Sequence, residues 1–416
     1  MRIATVEAIP TSPGRNFTIV KVTTDTGLVG WGDATLNGRE LSAAATINEH
    51  LAPLLIGEDP LRIEHLWQAL YVGAYWRGGP VLNTALAGID MALWDILGKH
   101  AGLPVYQLLG GRTRHGANCY VHAAGVTVER LADKVREKLA AGYRFVRVQL
   151  EMTEGSSYNE RILSTGQPGL DPADRTLPMQ QRALPTVGEW EPTPYLRSIP
   201  KMFAGLRAEL GDDVELLHDA HQRLTPIQAA ALARELEPYH PFFFEDPVPP
   251  EHAAGLALVR ATSTTPIAIG ELFTDIPTCV APIINRWLDY IRCDLGHIGG
   301  ITPARKIAAL AEPFAVKTAW HGPPDLSPVG HCANVHLDLA TSNFGVQEWT
   351  DFATYPWAAK IAEVFLGGVT RREAWLDVPA KPGLGIDIDE AAARKYPYRR
   401  AYLPVVRRAD GSVHPW

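Results

Sequence analysis

The run Val214–His221, VELLHDAH, is a short apolar stretch that ends in an acidic and a basic side chain. Two runs of the same kind follow it, namely Pro241–Pro247, PFFFEDP, and Pro266–Glu271, PIAIGE. Helix-length segments such as TPIQAAALARELEPY lie between them. Short apolar strands that alternate with helices predict a parallel sheet, because a parallel connection needs a crossover segment.

The same pattern extends in both directions from these three runs. Five further strands are predicted at 117–122, 144–150, 290–295, 315–321 and 344–349. Eight strand and helix units predict an α/β fold of the (β/α)8 type, a modified TIM barrel. Strand patterns, a DTG turn signal and helical periodicity before the barrel predict an N-terminal α+β capping domain. The predicted domains are the cap at 1–115, the barrel at 116–380 and a C-terminal segment at 381–416 that returns to the cap and active site.

A long segment at 151–194 interrupts the barrel pattern after the second strand and is rich in Gly, Pro and charge. Irregular loops longer than about 15 residues are uncommon in compact domains and are usually functional or disordered. Because this one follows a barrel strand, it is predicted to lie at the mouth of the barrel. The interpretation as a lid is therefore favoured over a disordered linker.

Composition limits the class of protein. The chain has 416 residues, of which 46% are hydrophobic and 20% charged, as in a globular protein with a substantial core. The net charge of −7 argues against a nucleic-acid partner. The four cysteines have no CxxC spacing, which favours reduced thiols. No signal pattern or membrane-length apolar run is evident, so a cytoplasmic location without a membrane partner is predicted.

The ends of the predicted strands carry polar side chains. In a (β/α) barrel the C-terminal strand ends meet at one mouth, where active sites are built. A polar residue at a single strand end could simply cap a helix. Polar residues at eight successive strand ends are not explained in that way, because buried charges without partners are costly. The residues, in strand order, are His122, Arg147 with Gln149, Asp219 with His221, Glu245, Glu271, Arg292 with Asp294, His321, and Glu348.

Three carboxylates, Asp219, Glu245 and Glu271, stand at equal intervals on consecutive predicted strands. Adjacent anions repel unless a cation neutralises them. Oxygen ligands suit Mg²⁺, with Mn²⁺ as a substitute, better than zinc. Ion pairing with Arg147 and Arg292 is the structural alternative. A divalent cation at this place would stabilise the second negative charge that forms when a proton alpha to a carboxylate is removed.

At this point the chain resembles the enolase superfamily, and closely its mannonate dehydratase group, which includes members named as starvation-sensing proteins. The resemblance extends from end to end. It rests on the motifs PGRNF, GDATLNGREL, GAYWRGGP, DMALWDILGK, YQLLGG, HDAHQRLTP, EDPVPPE, IRCDLGHIGGIT, HGPPDLSPVG, NFGVQEW and PYRRAYLPV.

The resemblance implies a role for each matching residue and one Mg²⁺ per active site. Asp219, Glu245 and Glu271 match its metal ligands, and His221 matches the acid that protonates the departing 3-hydroxyl. Tyr158, supported by Arg147, matches the base that takes the C2 proton; a loop tyrosine that only packs is the alternative. The positions that match substrate-binding residues are Asn37, His122, Arg292, His321, Asp325, Glu348 and Trp416. The resemblance also implies a homo-tetramer or homo-octamer.

Two features depart from the pattern of the mannonate dehydratase group. The loop around Tyr158 differs from the usual run, and Trp320 replaces a small residue before His321. The second strand carries RVQ where racemases and cycloisomerases of the superfamily have KxK, which argues against those activities.

The predicted reaction is dehydration of D-mannonate to 2-keto-3-deoxy-D-gluconate through an enediolate, with D-gluconate as a less efficient substrate. Two alternative functions are also compatible with the same sequence features. One is a weakly active or non-catalytic regulatory homologue, and the other is a dehydratase of a different aldonic acid.

Overall fold

The computed structural model describes residues 1–150, 186–400 and 405–415. Its N-terminal part is an antiparallel sheet of three strands, β1 Ile3–Thr11, β2 Phe17–Thr24 and β3 Val29–Asp33, in the order β1-β2-β3. The DTG signal forms the turn between β2 and β3, where Gly27 has a φ of 84°, a value that glycine adopts without strain.

A 22-residue helix, Pro80–Ala101, packs against this sheet. Glycines allow the close approach, because a Cβ on Gly32 would lie only 1.8 Å from the carbonyl oxygen of Gly88. By length and composition this helix is also apolar enough to cross a membrane, but 78% of the relevant window is buried inside the protein. Its apolar surface is therefore accounted for by the core.

Eight parallel strands form the barrel, namely β4 Ala117–Gly125, β5 Phe145–Leu150, β7 Glu215–Asp219, β8 Phe243–Glu245, β9 Ile267–Ile269, β10 Tyr290–Ile291, β11 Lys317–Thr318 and β12 Gln347–Glu348. Their hydrogen-bonded order is β11-β10-β9-β8-β7-β5-β4, with β12 paired to β4, and a bridge between Thr318 and Phe344 joins the two ends. All eight predicted strands are present, and the predicted barrel is confirmed.

Helices cover the cap sheet and the outside of the barrel. A capping box at Thr225 and Gln228 begins one of them, as the TPIQ sequence indicates. Within the described residues the α-helices are Glu40–Ala45, Ala52–Leu55, Ile63–Gly73, Pro80–Ala101, Val105–Leu108, Val128–Ala140, Pro192–Leu210, Pro226–Leu236, Leu256–Thr262, Ile276–Ile284, Leu295–Ile298, Ile301–Ala311, Pro328–Ala340, Ala358–Val364 and Glu390–Lys395. A π-helical turn spans Thr46–Leu51, and short 3₁₀ helices span Glu237–Tyr239, Pro250–Gly255, Glu312–Phe314 and Phe352–Thr354.

The segment 151–194 was predicted as an irregular lid, but its last residues, from 186 onward, form a strand and the start of a helix. Strand β6, Thr186–Glu189, pairs in parallel with β17, Val405–Arg407, which also pairs with β18, Val413–His414. The following helix begins at Pro192, where a proline is tolerated because the first-turn N–H groups have no helical acceptor. A strand far along the chain, which local sequence does not reveal, provides the partner for β6.

The remaining strands lie after the barrel. Strand β15, Trp375–Asp377, extends the barrel sheet antiparallel to β4 and pairs with β14, Thr370–Arg372. Strand β13, Phe365–Gly367, pairs with β16, Ile386–Ile388.

The chain then returns to the cap. Thr11 Oγ1 donates a hydrogen bond of 2.8 Å to the carbonyl oxygen of Ala393, and Asn16 Nδ2 donates one of 2.7 Å to that of Arg399. These bonds hold residues 390–400 against the loop between β1 and β2.

Candidate active site

The predicted polar residues gather at one mouth of the barrel. His122 and Arg147 lie within β4 and β5, and Asp219, Glu245 and Glu348 are the last residues of β7, β8 and β12. Three more follow strand ends within three residues, namely Glu271, Arg292 and His321. Residues that are regularly spaced in the sequence therefore lie together at one end of the parallel barrel.

The tightest acidic group is not the predicted triad. Carboxylate oxygens of Asp219, Glu245 and Asp246 lie within 4.8 Å of one another, and all three residues are buried. Glu271 adjoins this group through Arg292, whose Nη1 is 2.7 Å from Asp246 Oδ2 and 2.8 Å from Glu271 Oε2. The structure thus adds Asp246 to the acids that the spacing predicted.

Arg292 is completely buried and surrounded by acceptors. Besides Asp246 and Glu271, its Nη2 lies 2.9 Å from Glu245 Oε1 and 2.7 Å from Glu348 Oε2. Arginine remains protonated in such a setting, and these carboxylates raise its pKa further against the effect of burial. In this structure the side chain therefore neutralises the acids, and its predicted contact with substrate stays a prediction.

Arg147 is the second buried cation of the mouth. Its Nη1 lies 2.6 Å from Glu245 Oε1, 3.3 Å from Asp219 Oδ2 and 3.4 Å from Glu348 Oε1. Its Nη2 is 3.3 Å from His122 Nδ1. Because a guanidinium only donates hydrogen bonds, His122 Nδ1 must be the acceptor in this contact.

The two histidines beside Glu348 differ in charge. Burial and the Arg147 charge lower the pKa of His122 to about 4, so its imidazole is neutral at physiological pH. Burial also opposes protonation of His321, but Glu348, Asp294 and Glu271 raise its pKa to about 9. His321 Nδ1 lies 2.9 Å from Asp294 Oδ2. His122 Nε2 lies 2.8 Å from Glu348 Oε1 and His321 Nε2 lies 3.8 Å from Glu348 Oε2. A neutral and a cationic imidazole therefore adjoin the two oxygens of one carboxylate.

His221 and Gln222 occupy left-handed backbone conformations directly after β7, with φ angles of 51° and 62°. The Asp219 carboxylate stabilises this turn, because its Oδ1 accepts a 2.6 Å hydrogen bond from the His221 amide. Non-glycine residues in this region cost energy and are held by their surroundings. The turn aims His221 at the acids, with Nε2 3.7 Å from Glu271 Oε1.

The cap contributes to the same mouth. Asn37 Nδ2 donates a 2.6 Å hydrogen bond to Asp325 Oδ2, which joins the cap to the loop after β11. Arg15, which is buried in the cap loop, pairs with the other oxygen of Asp325. Asn37 and Asp325 therefore lie together, and their predicted contact with substrate stays a prediction.

Two predicted residues, Tyr158 and Trp416, lie outside the described residues, and their roles stay predictions. The prediction also missed four residues that contact the site. Each stands within or beside a quoted motif or strand: Arg15 in PGRNF, Tyr120 two positions before His122, Gln222 after His221, and Asp246 after Glu245. Period-two alternation would have shown that Tyr120 faces the barrel interior with His122.

The donor set fits a divalent cation. Five carboxylates meet at the mouth, on Asp219, Glu245, Asp246, Glu271 and Glu348, whereas two guanidinium groups oppose them. Protonated His321 is a third cation, so the carboxyl groups outnumber the cationic side chains that face them. Burial raises the pKa of Glu245 to about 7 although both arginines lower it, and a bound cation would favour its ionised form. Carboxylate oxygens are the ligands that a hard ion such as Mg²⁺ prefers.

Comparison with known proteins gives matches along almost the whole chain. Residues 2–110 match the mandelate racemase / muconate lactonizing enzyme N-terminal domain, and residues 130–392 match the enolase C-terminal domain-like family. A protein of Caulobacter sp. (strain K31), named D-mannonate dehydratase, is 46% identical over the full length of both chains. A D-galactonate dehydratase family member of Pseudarthrobacter chlorophenolicus is 44% identical, also over both full lengths.

A solved structure shows the same architecture. An enolase from Pantoea ananatis with bound D-gluconate and Mg has a TM-score of 0.90 and 45% identity, with all of both chains covered. The predicted family, fold and enzyme class are confirmed by these matches, and the magnesium of that neighbour agrees with the predicted cofactor. The chain therefore belongs to the enolase superfamily, among its mannonate and galactonate dehydratase relatives.

Proposed function

We propose that this protein is a Mg²⁺-dependent acid-sugar dehydratase that converts D-mannonate into 2-keto-3-deoxy-D-gluconate and acts more slowly on D-gluconate. The buried group of carboxylates at the barrel mouth is the observation that carries this proposal. The relative named D-mannonate dehydratase and the neighbour with bound D-gluconate support the substrate class.

Asp219 and Glu245 would hold the ion, and Glu271 is the proposed third ligand because it follows the next strand in the barrel. Asp246 is the competing ligand, since it belongs to the tightest acidic group. When bound, Mg²⁺ supplies positive charge beside the substrate carboxylate, where negative charge develops as the alpha proton leaves.

The protein's own groups would move two protons. Tyr158 as phenolate takes the C2 proton, and the electron pair of that C–H bond moves onto the substrate carboxylate to give an enediolate. The electron pair then returns to form a C2–C3 double bond as the C3–O bond breaks. His221 donates its proton to the departing hydroxyl, which leaves as water, and the resulting enol becomes the 2-keto acid. Each proton transfer by a positioned side chain contributes roughly 10²–10⁴ in rate.

Polar groups around the mouth would orient the substrate. Protonated His321 suits a carboxylate or developing negative charge, and neutral His122 suits a hydroxyl, because the two imidazoles differ in pKa. Asn37 and Asp325 lie together between cap and barrel and present amide and carboxylate groups for the polyol chain. Trp416 is proposed to close the pocket.

The proposal is tested by assaying purified protein with Mg²⁺ and a panel of aldonic and uronic acids. We expect formation of 2-keto-3-deoxy-D-gluconate from D-mannonate, a slower rate from D-gluconate, and loss of both rates in EDTA. Absence of turnover with both acids would contradict the proposed substrate. A different aldonic acid as the preferred substrate would retain the metal chemistry and change the specificity.

We also propose a cytoplasmic homo-tetramer or homo-octamer. Light scattering on the purified protein measures the assembly, and a monomer at micromolar concentration would contradict it.

A further inference from the structure

Tyr120 is a buried tyrosine in β4 that none of the predicted roles includes. Its side chain is fully buried, and its ring lies 5.8 Å from that of Phe243 in an edge-to-face arrangement and 6.0 Å from His122. Tyr120 and His122 are two positions apart on one strand, so both face the barrel interior. The phenol thus projects from the apolar lower barrel toward the acids of the mouth.

The hydroxyl of Tyr120 contacts two charged side chains at once. Arg292 Nη2 lies 3.0 Å from Tyr120 Oη, and Glu245 Oε2 lies 3.2 Å from it. A guanidinium only donates, so the tyrosine oxygen accepts from Arg292 and its single proton is directed to Glu245.

The two oxygens of the Glu245 carboxylate have different partners, and Tyr120 restricts the carboxylate through the second oxygen. Both arginines of the mouth approach Glu245 Oε1, at 2.6 Å from Arg147 and 2.9 Å from Arg292. Tyr120 contacts the other oxygen, Oε2, and so opposes rotation of the carboxylate about its last bond. The same hydroxyl accepts a hydrogen bond from Nη2 of Arg292, and Nη1 of this arginine pairs with Glu271.

We propose that Tyr120 is a positioning residue whose hydroxyl fixes the orientation of Glu245 and Arg292, and thereby sets the affinity of the mouth for Mg²⁺. The inference rests on the proposed metal site and adds a residue that would not itself touch the ion. Loss of one hydrogen bond to a charged group corresponds to roughly tenfold in affinity.

The test compares Tyr120→Phe with Tyr290→Phe by Mg²⁺ titration calorimetry. Tyr290 is the matched control because it belongs to the same interior cluster, whereas its charged neighbours are Asp289 and Glu215 at the other end of the barrel. We expect about tenfold weaker Mg²⁺ binding in Tyr120→Phe and parental binding in Tyr290→Phe. Phenylalanine keeps the ring that packs against Phe243.

Activity as a function of Mg²⁺ separates positioning from a merely structural role. In Tyr120→Phe the Mg²⁺ concentration for half-maximal activity should rise about tenfold, so that added Mg²⁺ restores much of the rate. A rate lowered by the same factor at every Mg²⁺ concentration, with unchanged Mg²⁺ affinity, would overturn the inference. If the metal-free variant unfolds, the Mg²⁺ concentration that restores folding replaces the calorimetric midpoint.

The outcome for the parent protein distinguishes the two proposals. Mg²⁺ uptake by the parent with equal uptake by Tyr120→Phe overturns the role of Tyr120 and leaves the proposed function standing. No Mg²⁺ uptake by the parent overturns the proposed function, and the role of Tyr120 with it.

Discussion

At the scale of single residues, Asp325 shows how cap and barrel build one pocket wall. One of its oxygens accepts a hydrogen bond from Asn37 of the cap, and the other pairs with the buried Arg15 guanidinium. Both cap residues therefore hold the same carboxylate in a fixed orientation. If Asp325 binds the polyol chain, Arg15 determines how well it is aligned, although Arg15 is not itself proposed to react.

Replacing Arg15 by methionine should raise KM for the sugar acid about tenfold and change kcat less, because a lost charged hydrogen bond costs about 1.5–3 kcal/mol. Steady-state kinetics with D-mannonate at saturating Mg²⁺ measures both constants. Arg39→Met, at an exposed position of the same cap, is the control and should behave like the parent. A fall in kcat alone, with KM unchanged, would contradict this role.

The residue scale also shows what local pattern predicts and what it does not. Asp219 and Glu245 were predicted because each ends an apolar run, and the barrel brings such ends together. Asp246 was missed because its left-handed φ of 37° turns a residue beyond the strand back into the site. The contact between Tyr120 and Arg292 depends on barrel closure, which joins strands far apart in sequence.

At the scale of elements, Asp90 connects the long cap helix, Pro80–Ala101, to a barrel helix. Its Oδ2 accepts a 2.9 Å hydrogen bond from the Thr302 amide in the first turn of helix Ile301–Ala311. Burial raises the pKa of Asp90 to about 7 although the hydrogen bonds from Thr302 lower it. The junction between cap and barrel therefore contains a carboxyl group that gains a proton on folding below neutral pH.

The sign of the pH effect follows from that shift. A folded-state pKa above the unfolded value makes the contribution of Asp90 greatest below about pH 4, and it declines as the pH rises through 7. Asparagine resembles the protonated acid and does not titrate. The difference in unfolding free energy between Asp90→Asn and the parent should therefore grow by about 2–3 kcal/mol in favour of the variant from pH 5 to pH 8. Urea unfolding of both proteins at the two pH values measures this difference. A pH-independent difference would contradict the assignment.

Element boundaries were less predictable than the elements themselves. The eight barrel strands were recognised by apolar runs with polar ends, but β6 lay in a Gly- and Pro-rich segment and was predicted as loop. Its partner, β17, is more than two hundred residues further along the chain. Such a pairing has no local signature, whereas Pro192 is a recognisable helix-start signal that marks where the irregular segment ends.

At the scale of the whole molecule, the proposed chemistry needs parts from distant regions. The cap provides Asn37, the barrel provides the acids, and the proposed base Tyr158 belongs to the long segment after the second barrel strand. Removing this phenol should affect proton abstraction without affecting the proposed metal ligands. Metal binding and turnover are therefore expected to respond separately.

We expect Tyr158→Phe to lower kcat by about 10²-fold or more, which is the contribution of a positioned general base, and to keep parental Mg²⁺ affinity. Turnover of D-mannonate and Mg²⁺ calorimetry on the same preparation provide the two measurements. Parental kcat in this variant would remove Tyr158 as the base.

The proposed metal site can be tested by Mg²⁺ titration calorimetry of the parent and of Asp219→Asn. Asp219 belongs both to the predicted triad and to the tightest acidic group, and asparagine keeps its shape while removing its charge. We expect the parent to bind one Mg²⁺ per chain and Asp219→Asn to bind it at least a hundredfold more weakly. Equal Mg²⁺ binding by the two proteins, or none by the parent, would contradict it.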